Sequence, residues 1–177
     1  TAALEDGDKD VRRRTVEALM KIGSKETVKP LINALKNEDS YVRCVATKAL
    51  GGMEAQAAVK PLIALLMRDN RSDIRTAAAE ALAGIGSREA VKPLIQALND
   101  GDASVRLAAV KALGALGAGE AAAPLVAKLK DENGDVRAAA AEALLWLGKE
   151  AVPPLIAALK DENAYVRATA AKLLGSL

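Results

Sequence analysis

Histidine and phenylalanine are absent from the 177 residues, cysteine occurs once, and the aromatic residues are one Trp and two Tyr. Without histidine there is no Ser-His or Cys-His pair for nucleophilic chemistry, and the usual nitrogen ligand of zinc and iron sites is missing. A lone Cys44 closes no internal disulfide, which favours a reducing compartment and makes a cytoplasmic setting the expectation. Neither sign of charge dominates: 25 basic residues stand against 23 acidic ones, for a net charge of +2. Phosphate-driven binding needs a concentrated positive face, so this balance argues against a nucleic-acid partner. No apolar run approaches the roughly 18 residues of a membrane span, and the opening TAALEDGDKD lacks the apolar centre of a signal segment. No catalytic centre, metal, cofactor or membrane is expected from these absences.

What is there is aliphatic and periodic. Half of the residues are apolar, and Ala, Leu, Val and Ile dominate them. A Val/Ile-Arg pair recurs at Val11-Arg12, Val42-Arg43, Ile74-Arg75, Val105-Arg106, Val136-Arg137 and Val166-Arg167, in steps of 31, 32, 31, 31 and 30 residues. A Pro-Leu pair recurs in phase at Pro30, Pro61, Pro93, Pro124 and Pro154. Two independent markers in one phase define a repeat. One extra residue in the loop MRDNRSD accounts for the long step, and one missing residue near Lys149 for the short one.

Each repeat reads as two helices. In EAVKPLIQALND, Val91, Leu94, Ile95 and Leu98 form one apolar stripe, with Pro93 in the first turn where a missing N–H costs little. In SVRLAAVKALGAL the stripe is Val105, Ala109, Leu113 and Leu116. Gly23, Gly86, Gly117 and Gly148 punctuate the ends of the second helices, while the second repeat places Glu54 there, so an irregular end is expected. A two-helix unit of this size cannot bury its stripe alone, and stacked neighbours must do it. Ala46, Ala78, Ala109, Ala140 and Ala170 share one core position, matched by Thr15 in the first repeat.

Apolar-Pro-Leu in a first helix, Asp in the turn and Val-Arg opening a second helix resemble the HEAT repeat, and the period of about 31 is similar to its short phycobilin-lyase-type variant and to artificial repeats derived from it. The resemblance spans the chain and implies an all-α, right-handed superhelix of about five and a half repeats, one solenoid over residues 1–177. The first five residues then read as the last turn of a first helix, and the chain as a piece of a longer array. It also implies a ladder in which Arg12, Arg43, Arg75, Arg106, Arg137 and Arg167 meet Asp6, Asn37, Asp69, Asp100, Asp131 and Asp161 across turns and between neighbours. The iron-dependent HEAT-repeat hydroxylase of deoxyhypusine is excluded, because its His-Glu ligands have no counterpart here.

Acidic turns such as Asp131-Glu132-Asn133-Gly134-Asp135 imitate calcium loops, but Val136 stands where the sixth-position glycine must be, so they read as capped inter-helix turns. Alternating Glu17, Lys48, Glu80, Lys111, Glu142 and Lys172 suggest an inter-repeat charge ladder. In HEAT-like folds the second helices line the concave face where partners bind. The side chains pointing there, with two tyrosines just before their helices, are Arg13, Arg14, Tyr41, Val45, Thr76, Leu107, Leu145, Trp146 and Tyr165. Alanines fill much of the rest as a smooth groove. The leading expectation is a non-catalytic scaffold that binds a protein or peptide on this face. The alternatives are an accessory subunit of a phycobilin-type lyase and a designed or consensus repeat without a natural partner. End-to-end self-association through uncapped terminal repeats is also expected.

Overall fold

The computed structural model describes residues 2–177. Among the described residues all regular structure is helical, eleven α-helices joined by turns, with no strand. None of these helices is long and apolar enough to cross a membrane. The chain divides into two compact units, one ending at Ala90 and the other beginning at Val91.

The first unit contains α1 (Lys9–Ile22), α2 (Lys25–Ala34), α3 (Ser40–Gly52), α4 (Val59–Arg68) and α5 (Ser72–Ile85), with a 3₁₀ turn at Ala2–Glu5 ahead of α1. The second contains α6 (Val91–Ala97), α7 (Ala103–Ala115), α8 (Ala122–Ala127), α9 (Gly134–Leu147), α10 (Val152–Ala158) and α11 (Ala164–Leu174). Even-numbered helices carry the prolines and odd-numbered ones the Val/Ile-Arg pairs. Pro61, Pro93, Pro124 and Pro154 all fall in the first turn of their helices. Pro30 does not: α2 begins a turn earlier, and Pro30 lies inside it.

The repeat markers are the core. Val42, Ile74, Val105, Val136 and Val166 are fully buried, as are Ala46, Ala78, Ala109, Ala140 and Ala170 one turn later. Leu31, Leu62, Leu94, Leu125 and Leu155 meet them from the first helices, also without exposure. Burial of each such leucine stabilises the fold by about 1.5–3 kcal/mol. Val11, at the same repeat position, is exposed because only the single turn Ala2–Glu5 stands where later repeats have a full first helix.

Close helix approach depends on glycine as well as alanine. A Cβ on Gly51 of α3 would lie 2.7 Å from the backbone of Ala81 in α5, and one on Gly114 of α7 would lie 3.0 Å from the Ala143 Cβ in α9. Second helices therefore touch backbone to backbone at these points. Their ends turn through left-handed residues at Gly23, Gly86 and Gly117, and Glu54 takes the same conformation at φ +50°. Gly148 departs from the set, at φ 61° and ψ −125°, and leads straight into the 3₁₀ turn Gly148–Ala151. The residue missing from the last repeat is removed at this point.

Candidate partner-binding face

Every second helix is entered through a turn that the repeat arginine closes. Nη1 of Arg12, Arg43, Arg75, Arg106, Arg137 and Arg167 donates to the backbone carbonyl six residues earlier, at Asp6, Asn37, Asp69, Asp100, Asp131 and Asp161, over 2.7–2.9 Å. The carboxylate at that position serves the preceding repeat instead. Arg43 donates from Nε and Nη2 to Asp69 at 2.8 and 3.3 Å, and Arg106 makes the same fork to Asp131 at 2.8 and 2.9 Å. The Asp side chain also caps its own turn, accepting from Arg71 N in one case and Asn133 N in the other. Planar guanidinium suits this two-pronged geometry. Burial pushes the Asp131 carboxyl up, but Arg106 and the Asn133 N–H outweigh it and hold the pKa below the ordinary range.

The ladder is uneven. At the first step Asn37 replaces the carboxylate, and the buried Arg12 Nε has no acceptor; beyond its turn carbonyls, Arg12 pairs with the exposed Glu38 at 3.1 Å. At the last step Asp161 pairs with Lys130 at 2.8 Å, and among the described residues no carboxylate reaches Arg137. Lys130 depresses the Asp161 pKa through this hydrogen bond, and its own is raised in return.

The acidic turns are committed to helix capping: Asp8, Asp39 and Asn133 accept from the first N–H groups of α1, α3 and α9. Among the described residues no group of three potential ligands is placed to hold a metal. The alternating charges do not form their ladder either. No ion pair joins Glu17 to Lys48, Lys48 to Glu80, Lys111 to Glu142 or Glu142 to Lys172, and Glu17 instead accepts the Tyr41 hydroxyl at 2.6 Å. Those helix positions stand apart in water, where an exposed pair gains too little to hold long side chains.

The residues expected to contact a partner differ widely in availability. Arg13 is held by Asp39 through Nε at 2.8 Å and lies 4.9 Å over the Tyr41 ring. The Arg13 hydrogen bond holds the Asp39 carboxyl below its ordinary range. Arg14 is exposed; Val45, Thr76 and Leu107 are half-buried, and the Thr76 hydroxyl is buried without a partner. Tyr41, Leu145, Trp146 and Tyr165 are exposed, Trp146 to 63%. The expected alanine floor is only partly there, because Ala77, Ala108 and Ala139 are buried between helices while Ala138 and Ala168 face solvent. The two groups hold different repeat positions, three and two residues after the Val/Ile marker, and only the former turns into the helix contact.

Trp146 both packs and projects. One edge of its ring covers Gly114, where a Cβ would come within 2.9 Å of Cε3, and the remainder is open. Beside it, a groove of about 470 Å³ runs between α9 and α11, lined by Leu145, Tyr165, Ala168, Thr169 and Leu173, with Glu142 and Lys172 on its rim.

The sequence model of HEAT repeats matches residues 1–83, 59–145 and 122–177. The chain belongs to the HEAT-repeat family. One relative of this HEAT chain is the phycocyanobilin lyase subunit alpha of Synechococcus elongatus, 46% identical over 61 residues. That match spans 34% of this chain and 22% of the relative's length. In three dimensions the chain is similar to a structure of the complex of CpcE and CpcF of phycocyanin lyase from Nostoc, with a TM-score of 0.73 and 27% identity, over 98% of this chain and 74% of that one. A designed armadillo repeat protein shares the fold at a TM-score of 0.65 and 22% identity, over 99% and 97% of the two chains. The expectation of a chain with no part in catalysis is corrected by these relatives, since both natural ones are components of a lyase.

Proposed function

We propose that this chain is a HEAT-repeat component of a bilin lyase and binds a protein partner on the face formed by its second helices. The observation that carries the reading is the likeness to the CpcE–CpcF lyase complex over 98% of the chain, together with the 46% identity to a lyase alpha subunit. The surface suits the task. Tyr41 in the first unit and Trp146 and Tyr165 in the second are large exposed rings, and such side chains supply contact area at little conformational cost. Leu107 and Val45 add half-buried aliphatic contacts, and Arg14 an exposed cation. The chain's share in the chemistry is to hold the acceptor protein and the tetrapyrrole in mutual reach, which lowers the entropic part of the barrier.

The test is reconstitution of phycocyanobilin, apo-phycocyanin and a CpcF-type partner with and without this chain. Visible absorbance that stays with the acceptor through denaturing electrophoresis only when the chain is present supports the reading; equal attachment without it overturns the reading. A double variant, Trp146→Ala with Leu107→Glu, locates the face. Weakened partner capture is expected, and undiminished capture moves binding elsewhere on the chain.

A second contact is proposed at the two terminal repeats, where Met20 and Ile22 on one and Ile156, Leu159 and Leu177 on the other are exposed. End-to-end stacking would cover them. Sedimentation velocity at rising concentration should show association that Ile22→Glu abolishes; a monomer at every concentration rejects it.

A further inference from the structure

Arg137 occupies the position at which Arg43 and Arg106 each grip a carboxylate with Nε and Nη2, yet the Asp161 that should serve it is held by Lys130. Its Nη1 is used by the carbonyls of Asp131 and Glu132 at 2.7 and 3.0 Å, and its Cζ lies 6.0 Å over the Tyr165 ring. The shortened turn at Gly148 goes with this change, because a connection one residue shorter leads into the repeat that carries Asp161. Tyr165 is also a wall of the groove between α9 and α11. Arg137 does not itself line the groove, but its guanidinium, which no carboxylate among the described residues engages, lies over Tyr165, one of the groove's walls.

We infer that this groove docks an amphipathic helix of a partner protein, with aliphatic side chains against Leu145, Tyr165 and Leu173 and an Asp or Glu in the fork of Arg137. The chain itself displays the recognition geometry: Arg106 takes Asp131 at 2.8 and 2.9 Å through the same two nitrogens. Two neighbouring helices present parallel ridges, and a third helix fills the groove between them by the usual side-chain interdigitation. About 470 Å³ accommodates a few aliphatic side chains. Glu142 and Lys172 also line the groove and offset one another, which leaves Arg137 as the cation for the acid. The inference rests on the reading of the second-helix face as the partner face, and it does not depend on bilin chemistry.

The experiment is selection from a displayed library of helical peptides on the intact chain. One enriched, fluorescently labelled peptide is then titrated by anisotropy against the intact chain, Arg137→Gln and Leu145→Lys. Enriched sequences that combine an aliphatic stripe with an acid support the inference. So does a loss of affinity on the order of tenfold in each variant, with weakening at higher salt. No enrichment, basic sequences, or affinity unchanged in both variants overturns it. So does a dimer of the intact chain that Leu145→Lys dissociates, because a second copy then fills the groove. Thermal melts accompany the titrations; if Arg137→Gln unfolds, the exposed-site variant and the salt dependence decide. Failed bilin attachment with successful selection removes the lyase reading alone, and the converse removes only this one.

Discussion

Arg12 and Asn37 line one hollow at the first inter-repeat step, and Asn37 offers Arg12 no acceptor. The buried Arg12 Nε has no acceptor, and the side chain at the position that feeds Arg43 and Arg106 is an amide whose Nδ2 donates to the Leu4 carbonyl at 2.8 Å. Its Oδ1 is already taken by the Asp39 N–H at 2.9 Å, so rotating the amide would only move the mismatch. Asn37→Asp supplies the missing acceptor while keeping the turn bond. It should stabilise the chain by about 1 kcal/mol, the gain of a charged hydrogen bond less the lost contact to Leu4. Urea denaturation of both proteins checks it; an unchanged midpoint means that solvent already satisfies Arg12.

Glycines that look alike in the sequence should respond oppositely to alanine. Gly114→Ala drives a methyl to 2.9 Å from the Trp146 ring and 3.0 Å from Ala143 Cβ, and Gly51→Ala places one 2.7 Å from Ala81. Each should cost about 1–3 kcal/mol through overpacking. A Cβ on Gly52, the next residue, meets nothing within 4 Å, and Gly52→Ala should gain about 0.5–1 kcal/mol from helix propensity. Denaturation midpoints that move together in all three would contradict the close approach of second helices.

Glu54 adopts φ +50°, a left-handed backbone that glycine takes at the other helix ends. Side-chain crowding in that conformation costs roughly 1–2 kcal/mol. Part of this is offset because glycine makes the unfolded chain more flexible. Glu54→Gly should therefore raise the melting temperature modestly, while Gly86→Ala, at φ +75°, should lower it. Calorimetry on the pair tests the sign.

Acid should unfold the chain through its paired aspartates. Asp39, hydrogen-bonded by Arg13, and Asp161, hydrogen-bonded by Lys130, both have pKa values lowered from the ordinary 3.8. In Asp131 the pull of Arg106 and the Asn133 N–H overcomes burial, with the same result. The folded chain thus binds these protons less readily than the unfolded one. Their stabilisation is complete above about 3.8 and is lost as pH falls through the lower native values. Urea midpoints should be flat from neutral pH to about 4.5 and then drop, and Asp131→Asn should flatten the acid limb while lowering the plateau. A fall that begins near pH 6 would point to other groups.

The sequence by itself determined the repeat, its two-helix composition and the core. Stacking requires apolar side chains at fixed intervals, and Val42, Ile74, Val105, Val136 and Val166 keep that interval and are buried. It also marked Trp146, Leu145 and Tyr165 as large side chains on the second helices, and all three are exposed. It assigned the positions two and three residues after the repeat marker to one open face, and the structure divides them: Ala77, Ala108 and Ala139 at the third are buried, while Ala138 and Ala168 at the second are exposed, because successive residues turn by about 100° around a helix. It could not assign the partners of the turn charges. Arg106 and Arg137 have the same local sequence pattern, and only the tertiary structure decided that Asp131 reaches one while Lys130 takes Asp161 from the other. A hydrogen bond depends on distances of a few tenths of an ångström, whereas burial depends only on which side of a helix a residue occupies.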